Sequence, residues 1–173
     1  MKRFILILMI AVMVLSICAC SNSSAKISAA EDPTAYFFKE NNWSMEEVIS
    51  KFGEFDKCEK NSFLFTDYLL YTSYSQPVFG REWEFQLFAM PGEDAEMITG
   101  AKFFFYQDEM SDKEFVKYRD EIVDYYTSAF GQPEVYNLSS GNPRWIWNFE
   151  DLELMFEDCR DSAGCMGMMV NKI

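Results

Sequence analysis

From Arg81 to Met90 the side chains alternate in a pattern of period two. Trp83, Phe85, Leu87 and Ala89 fall on one side, and Glu82, Glu84 and Gln86 on the other. A period of two is the geometry of a pleated strand with one face in a core, and no helix can bring those four apolar side chains together. The same grammar predicts strands at Phe63 to Tyr74, interrupted near Thr66-Asp67, and at Ile98 to Tyr106 beyond the Pro91-Gly92 turn. It returns at Arg144–Phe149, Leu152–Glu157 and Met166–Asn171. A chain with this many alternating aromatic runs must build an antiparallel sheet.

Each group of strands is preceded by a helical signal. Asp32-Pro33 predicts a cap and first turn opening a short helix through Tyr36 and Phe37. Ser44 with Glu47 forms a capping box, and Met45, Val48, Ile49 and Phe52 fall at i, i+3, i+4 and i+7 on one stripe. Ser111 with Glu114 repeats the box ahead of a longer helix, from about Asp112 to Phe130, with Phe115, Tyr118, Ile122, Tyr125 or Tyr126, and Ala129 on its buried side. Phe52-Gly53 and Phe130-Gly131 end the two helices 78 residues apart. The pattern predicts an α+β fold of two tandem units, residues 32–110 and 111–173, each a helix followed by antiparallel strands with helices packed on one face of the sheet.

The N-terminus carries an address. Lys2 and Arg3 precede a run of 14 residues, Phe4 to Ile17, apolar but for Ser16, and the run closes on Ile17-Cys18-Ala19-Cys20-Ser21. A bilayer-spanning helix needs about 20 apolar residues, so the run fits a secretory leader better than a membrane span. Its end resembles the lipobox of bacterial lipoproteins, with a small residue before the Cys that is diacylated. The reading is therefore a signal peptide at 1–19, a lipidated Cys20, and a flexible Ser- and Ala-rich tether at 20–31. This implies a cell-membrane, lipid-anchored location facing outside the cytoplasm.

Together, the lipidated N-terminus, the Trp43-Ser44-Met45-Glu46-Glu47-Val48 helix ending in Phe-Gly, the antiparallel strands and the second copy resemble the tandem fold of the beta-lactamase inhibitor proteins. The organisation is also similar to that of small assembly lipoproteins of the outer-membrane β-barrel machinery. In those inhibitors, helices cover one face of a sheet and the opposite, concave face binds a partner protein. The resemblance implies binding as the function.

Composition narrows the chemistry. No His is present, which removes Ser-His-Asp triads, Cys-His dyads and most zinc sites. The formal charge is −13, or −15 once Lys2 and Arg3 leave with the leader, and argues against a nucleic-acid partner. Gly-rich phosphate loops and nucleophile elbows are missing, and the carboxylates read as solvated surface. With no catalytic residues, no metal and no cofactor expected, the chain reads as non-enzymatic. A carboxylate-dependent hydrolase of cell-wall material would need two carboxylates facing each other in a deep cleft. Cys159 and Cys165 flank a turn-like segment, so they are a candidate disulfide or a pair of free thiols, and three Cys without His make a poor metal site.

Phe, Tyr and Trp number 30, more than one side of a sheet can bury. If helices cover the first side, Tyr71, Tyr74, Phe88, Phe104 and Tyr106 are candidates for the open one. Aromatic side chains bury much area with few rotors and so anchor partner proteins. The expected function is a membrane-anchored, extracytoplasmic lipoprotein that binds a protein or peptide through an aromatic sheet face. The alternative is a structural or assembly scaffold of the cell envelope. Two acyl chains hold a domain on a bilayer where one holds it only marginally. Cys20→Ala is therefore expected to move the protein from the membrane pellet to the soluble fraction, and unchanged pelleting would refute lipidation.

Overall fold

A computed structural model of the chain describes residues 32–173 except 40–42, 64–65, 93–95, 109 and 140. The leader, Cys20 and the tether lie outside the described residues. Two short helices, α1 (Thr34–Lys39) and α2 (Met45–Phe52), lead into strands β1 (Lys57–Phe63), β2 (Thr66–Val78), β3 (Arg81–Met90) and β4 (Met97–Tyr106). Helix α3 (Asp112–Phe130) follows, then β5 (Glu134–Asn137), β6 (Pro143–Asn148), β7 (Leu152–Cys159), the one-turn α4 (Arg160–Ala163) and β8 (Cys165–Lys172). All strands join one antiparallel sheet in the order β1-β2-β3-β4-β8-β7-β6-β5.

This corrects the expected fold class. The two tandem helix-and-strand units are replaced by a single eight-stranded sheet, with about 50% of the described residues in strands against 28% in helices. The joint is the pairing of β4 with β8 over seven residues, from Gly100↔Asn171 to Tyr106↔Cys165. Left unpaired, each strand would present a row of bare N–H and C=O groups at an edge. Strand counts also differ from the expectation. Thr66-Asp67 does not interrupt a strand but opens β2, paired with Phe63 and Ser62 of β1, and β5 is short and wholly exposed, with no alternation to reveal it.

The helices share one face of the sheet. Phe85 and Phe103 stack at 4.7 Å at its centre, and Phe37 of α1 and Phe52 of α2 lie over both. Helix α3 buries Phe115, Tyr118, Ile122 and Tyr126, at the helical spacing of the sequence, while Ala129 at the end of that stripe is exposed. Tyr118 packs on Trp83 of β3, and Tyr126 on Trp147 of β6, so one helix bridges strands from both parts of the chain. The buried indoles are each satisfied: Trp43 Nε1 donates to the Phe37 carbonyl at 3.0 Å, Trp83 to the Tyr118 hydroxyl at 3.2 Å, and Trp147 to the Gly131 carbonyl at 2.9 Å.

Local signals stand where the sequence put them. Ser111 and Glu114 complete a reciprocal capping box, and Ser44 accepts from the Glu47 amide at 3.2 Å. Gly53 (φ 87°) and Gly131 (φ 88°) end α2 and α3 in a backbone region that side-chain-bearing residues avoid. Asp32 holds the first described turn: its carboxylate accepts from the Thr34 amide at 2.9 Å, the Tyr126 hydroxyl at 2.9 Å and the Tyr125 hydroxyl at 3.1 Å. The start of the domain is thereby tied to α3. The Tyr125 hydroxyl is pushed up to about 12, first by burial and then by the Asp32 charge.

Asp158, wholly buried at the end of β7, receives the Arg119 guanidinium of α3 at 2.7 Å and that of Arg160 at 2.9 Å. Burial alone would raise its pKa, but hydrogen bonds from Arg160 and Arg119 outweigh that and hold it below the ordinary carboxylate value. A group lowered on folding stabilises the native state above its unfolded pKa, about 3.9, and that contribution is lost as pH falls through the folded one. Asp158→Asn is expected to cost about 2 kcal/mol at pH 7. In urea unfolding series, the gap to wild type should narrow below about pH 4.

Candidate docking face

Because side chains alternate across a strand, the face away from the helices is read directly from the register. Three rows cross it. One runs Glu59, Leu70, Phe88, Gly100, Asn171, Glu153 and Asn148. The next runs Lys57, Thr72, Gln86, Lys102, Met169, Met155, Ile146 and Glu134, through every strand. The third runs Glu84, Phe104, Gly167, Glu157, Arg144 and Tyr136. Leu70, Phe88, Phe104, Met155, Met169 and Ile146 are only half-buried here, whereas their neighbours Leu87, Phe103, Leu154 and Met168 on the helix side are fully buried. Among the described residues, no helix lies on this face.

Its local geometry is set by rings and small residues. Phe104 and Tyr106, two apart on β4, stack at 6.4 Å with planes 26° apart, and Tyr106 is 44% exposed. Lys102 Nζ stands 4.5 Å from the Phe104 ring centre, a cation over an aromatic face. The Phe104 ring also covers Gly167, where an added Cβ would meet it at 3.8 Å. Tyr68 and Phe88 lie 6.1 Å apart on β2 and β3. Burial, then the Glu84 charge, raises the Tyr106 phenol above its ordinary value, so it stays a neutral donor at physiological pH.

The five aromatic residues named from sequence divide. Phe88, Phe104 and Tyr106 project from the open face. Tyr74 is 58% exposed beside the bulge between Ser73 and Gln76, its amide donating to Asp56 Oδ2 at 2.9 Å. Tyr71 needs correcting. It pairs with Leu87 on the helix side, packs 5.3 Å from Phe55, and donates to Glu96 Oε2 at 2.6 Å. The break at Thr66-Asp67 hid its register, since a one-residue error flips every side chain. Leu70, Lys102, Met155, Met169, Ile146 and Tyr136 were missed. Runs apolar at every position, such as Leu154 to Phe156 and Met168 to Val170, were the available signal.

Cys159 and Cys165 are direct cross-strand partners between β7 and β8, and both thiols are free. Burial, then the Glu157 charge, pushes the Cys159 thiol up to about 11, and burial also raises Cys165. Among the described residues, no three His, Cys, Asp or Glu side chains group to hold a metal ion, and no helix is long and apolar enough to cross a membrane. A cleft of about 430 Å³ opens where β3, β4 and the start of α3 meet, lined by Arg81, Glu82, Tyr106, Asp108 and Glu114 among others. Its Glu114 is held below the usual carboxylate range by the Ser111 hydroxyl and amide, the reverse of what a general acid needs.

Because the thiolate is the reactive form, exposed Cys58 is expected to be alkylated first at pH 7. Cys159 and buried Cys165 should follow at least tenfold more slowly, as read by peptide mass spectrometry. Equal rates would contradict this ordering. Comparison with protein-family models, with curated proteins and with solved structures gives no match to this chain.

Proposed function

We propose that this protein is a membrane-anchored, extracytoplasmic lipoprotein that performs no catalysis and binds a protein or peptide partner through the open sheet face. The observation that carries the reading is the contrast between the two faces. One is sealed by helices, while the other keeps Phe88, Phe104, Tyr106, Met155 and Met169 partly in water with no described helix over them. Leaving such side chains half-wet forgoes about 25 cal/mol for each Å² of apolar surface, and partner binding recovers it. The lipobox supports the anchored location, and the domain would then present its face within tether's reach of the membrane. The carboxylates of the cleft support a non-enzymatic role, since Glu114 serves a helix cap and Glu82 accepts from Ser75.

A photo-crosslinking amino acid placed at Phe104 or Phe88, with Asp124 on α3 as the opposite-face control, tests the reading in living cells. Discrete adducts are expected from the two sheet positions and none from Asp124. Absence of sheet adducts, or equal labelling from all three positions, would overturn it.

A further inference from the structure

The open face carries an imbalance of charge that is not spread evenly over it. Two of its ion pairs are closed: Lys57 with Glu59 at 2.9 Å, and Arg144 with Glu157. Among the described residues, Glu82, Glu84, Glu134 and Glu153 have no Lys or Arg within 4.0 Å, and their contacts are neutral donors such as Ser75, Gln86, Tyr136 and Asn171. Against these four stands one cation without an acidic partner, Lys102, which sits on the Phe104 ring. Glu84 faces Phe104 directly across β3 and β4, and the Tyr106 hydroxyl reaches it at 3.5 Å. The Tyr106 ring, stacked on Phe104, 44% exposed and beside the unneutralised Glu84 carboxylate, supplies the aromatic face and the counter-charge that recognise a Lys or Arg side chain.

Resting on the docking role proposed above, we infer that the occupant is a basic, extended polypeptide segment with Lys or Arg at alternate positions, lying along β3 over Glu82, Glu84 and the Phe104–Tyr106 rings. The spacing favours an extended chain, because Glu82 and Glu84 are two residues apart on one strand, about 6.8 Å, the interval at which an extended peptide repeats its side chains on one face. An anionic lipid surface is disfavoured for the same reason, since the face would meet like charge.

The test uses the full chain in a neutral detergent and a fluorescent octapeptide alternating Lys and Thr, with a Glu–Thr octapeptide as its counterpart. The Lys–Thr probe is expected to bind with an affinity that falls with salt, and the Glu–Thr probe to fail. Glu82→Gln with Glu84→Gln should weaken binding about tenfold. Glu46→Gln with Asp124→Asn, the same charge change on the helices, should alter it less than twofold. Equal weakening by both pairs, or no binding of the Lys–Thr probe, overturns the inference. If the probe fails while photo-adducts still form at Phe104, the basic partner is lost and the docking face stands. Loss of both removes the face itself.

Discussion

Pairing of β4 with β8 is the constraint on which the rest of the molecule depends. These strands end two successive meanders, β1–β4 and β5–β8, and their paired residues lie 59 to 71 positions apart in the chain, from Tyr106↔Cys165 to Gly100↔Asn171. Zipped over seven residues, they make one sheet and set its centre at Phe103, Phe105, Met166 and Met168. Only with that seam closed can α3 cover Trp83 and Trp147 together. Only then does Tyr126 reach Met168 below it and Asp32 above. Closing so long a loop is costly in chain entropy, and burial of this aromatic core is what offsets it.

The same seam creates the open face. Gly100 of β4 and Gly167 of β8 lie at the joint, and neither offers a side chain on the outer side. At Gly100 the fit is closest, since a Cβ there would come within 2.9 Å of the Asn171 side chain, while at Gly167 the Phe104 ring fills the space. The centre of the face is therefore low and flanked by rings and methionines, with unpaired carboxylates along β3 and β7. Met side chains adapt to varied surfaces and aromatic ones hold their shape, a mixture suited to receiving another chain.

Charge is handled differently on the two sides. On the helix side, Asp158 is buried only because Arg119 and Arg160 close on it, and each guanidinium also rests against a ring, Trp145 and Phe115 respectively. A buried carboxylate without them would carry a desolvation penalty of several kcal/mol. On the outer side, Glu84 and Glu153 need no such partners, since water still reaches them. A negative field therefore survives on the face proposed for docking, while inside the fold it is cancelled.

Elements whose signal is local were readable in the chain itself: the capping boxes at Ser44 and Ser111, the glycine ends at Gly53 and Gly131, the buried stripe Phe115–Tyr118–Ile122–Tyr126, and the alternation of β3 from Glu82 to Leu87. Each depends on residues within one or two turns of one another, so propensity and periodicity decide them. The failures have one physical origin. Nothing near Tyr106 announces that it will stand beside Cys165, nothing at Thr66-Asp67 reveals which way Tyr71 turns, and β5 has no alternation because neither of its faces is buried. Sequence by itself determined that this chain has sheet-forming, half-buried strands and capped helices. Tertiary structure alone decided that the strands form one sheet and which aromatic residues stay wet. Strand pairing is a contact between distant residues, and its register sets the facing of every side chain along it.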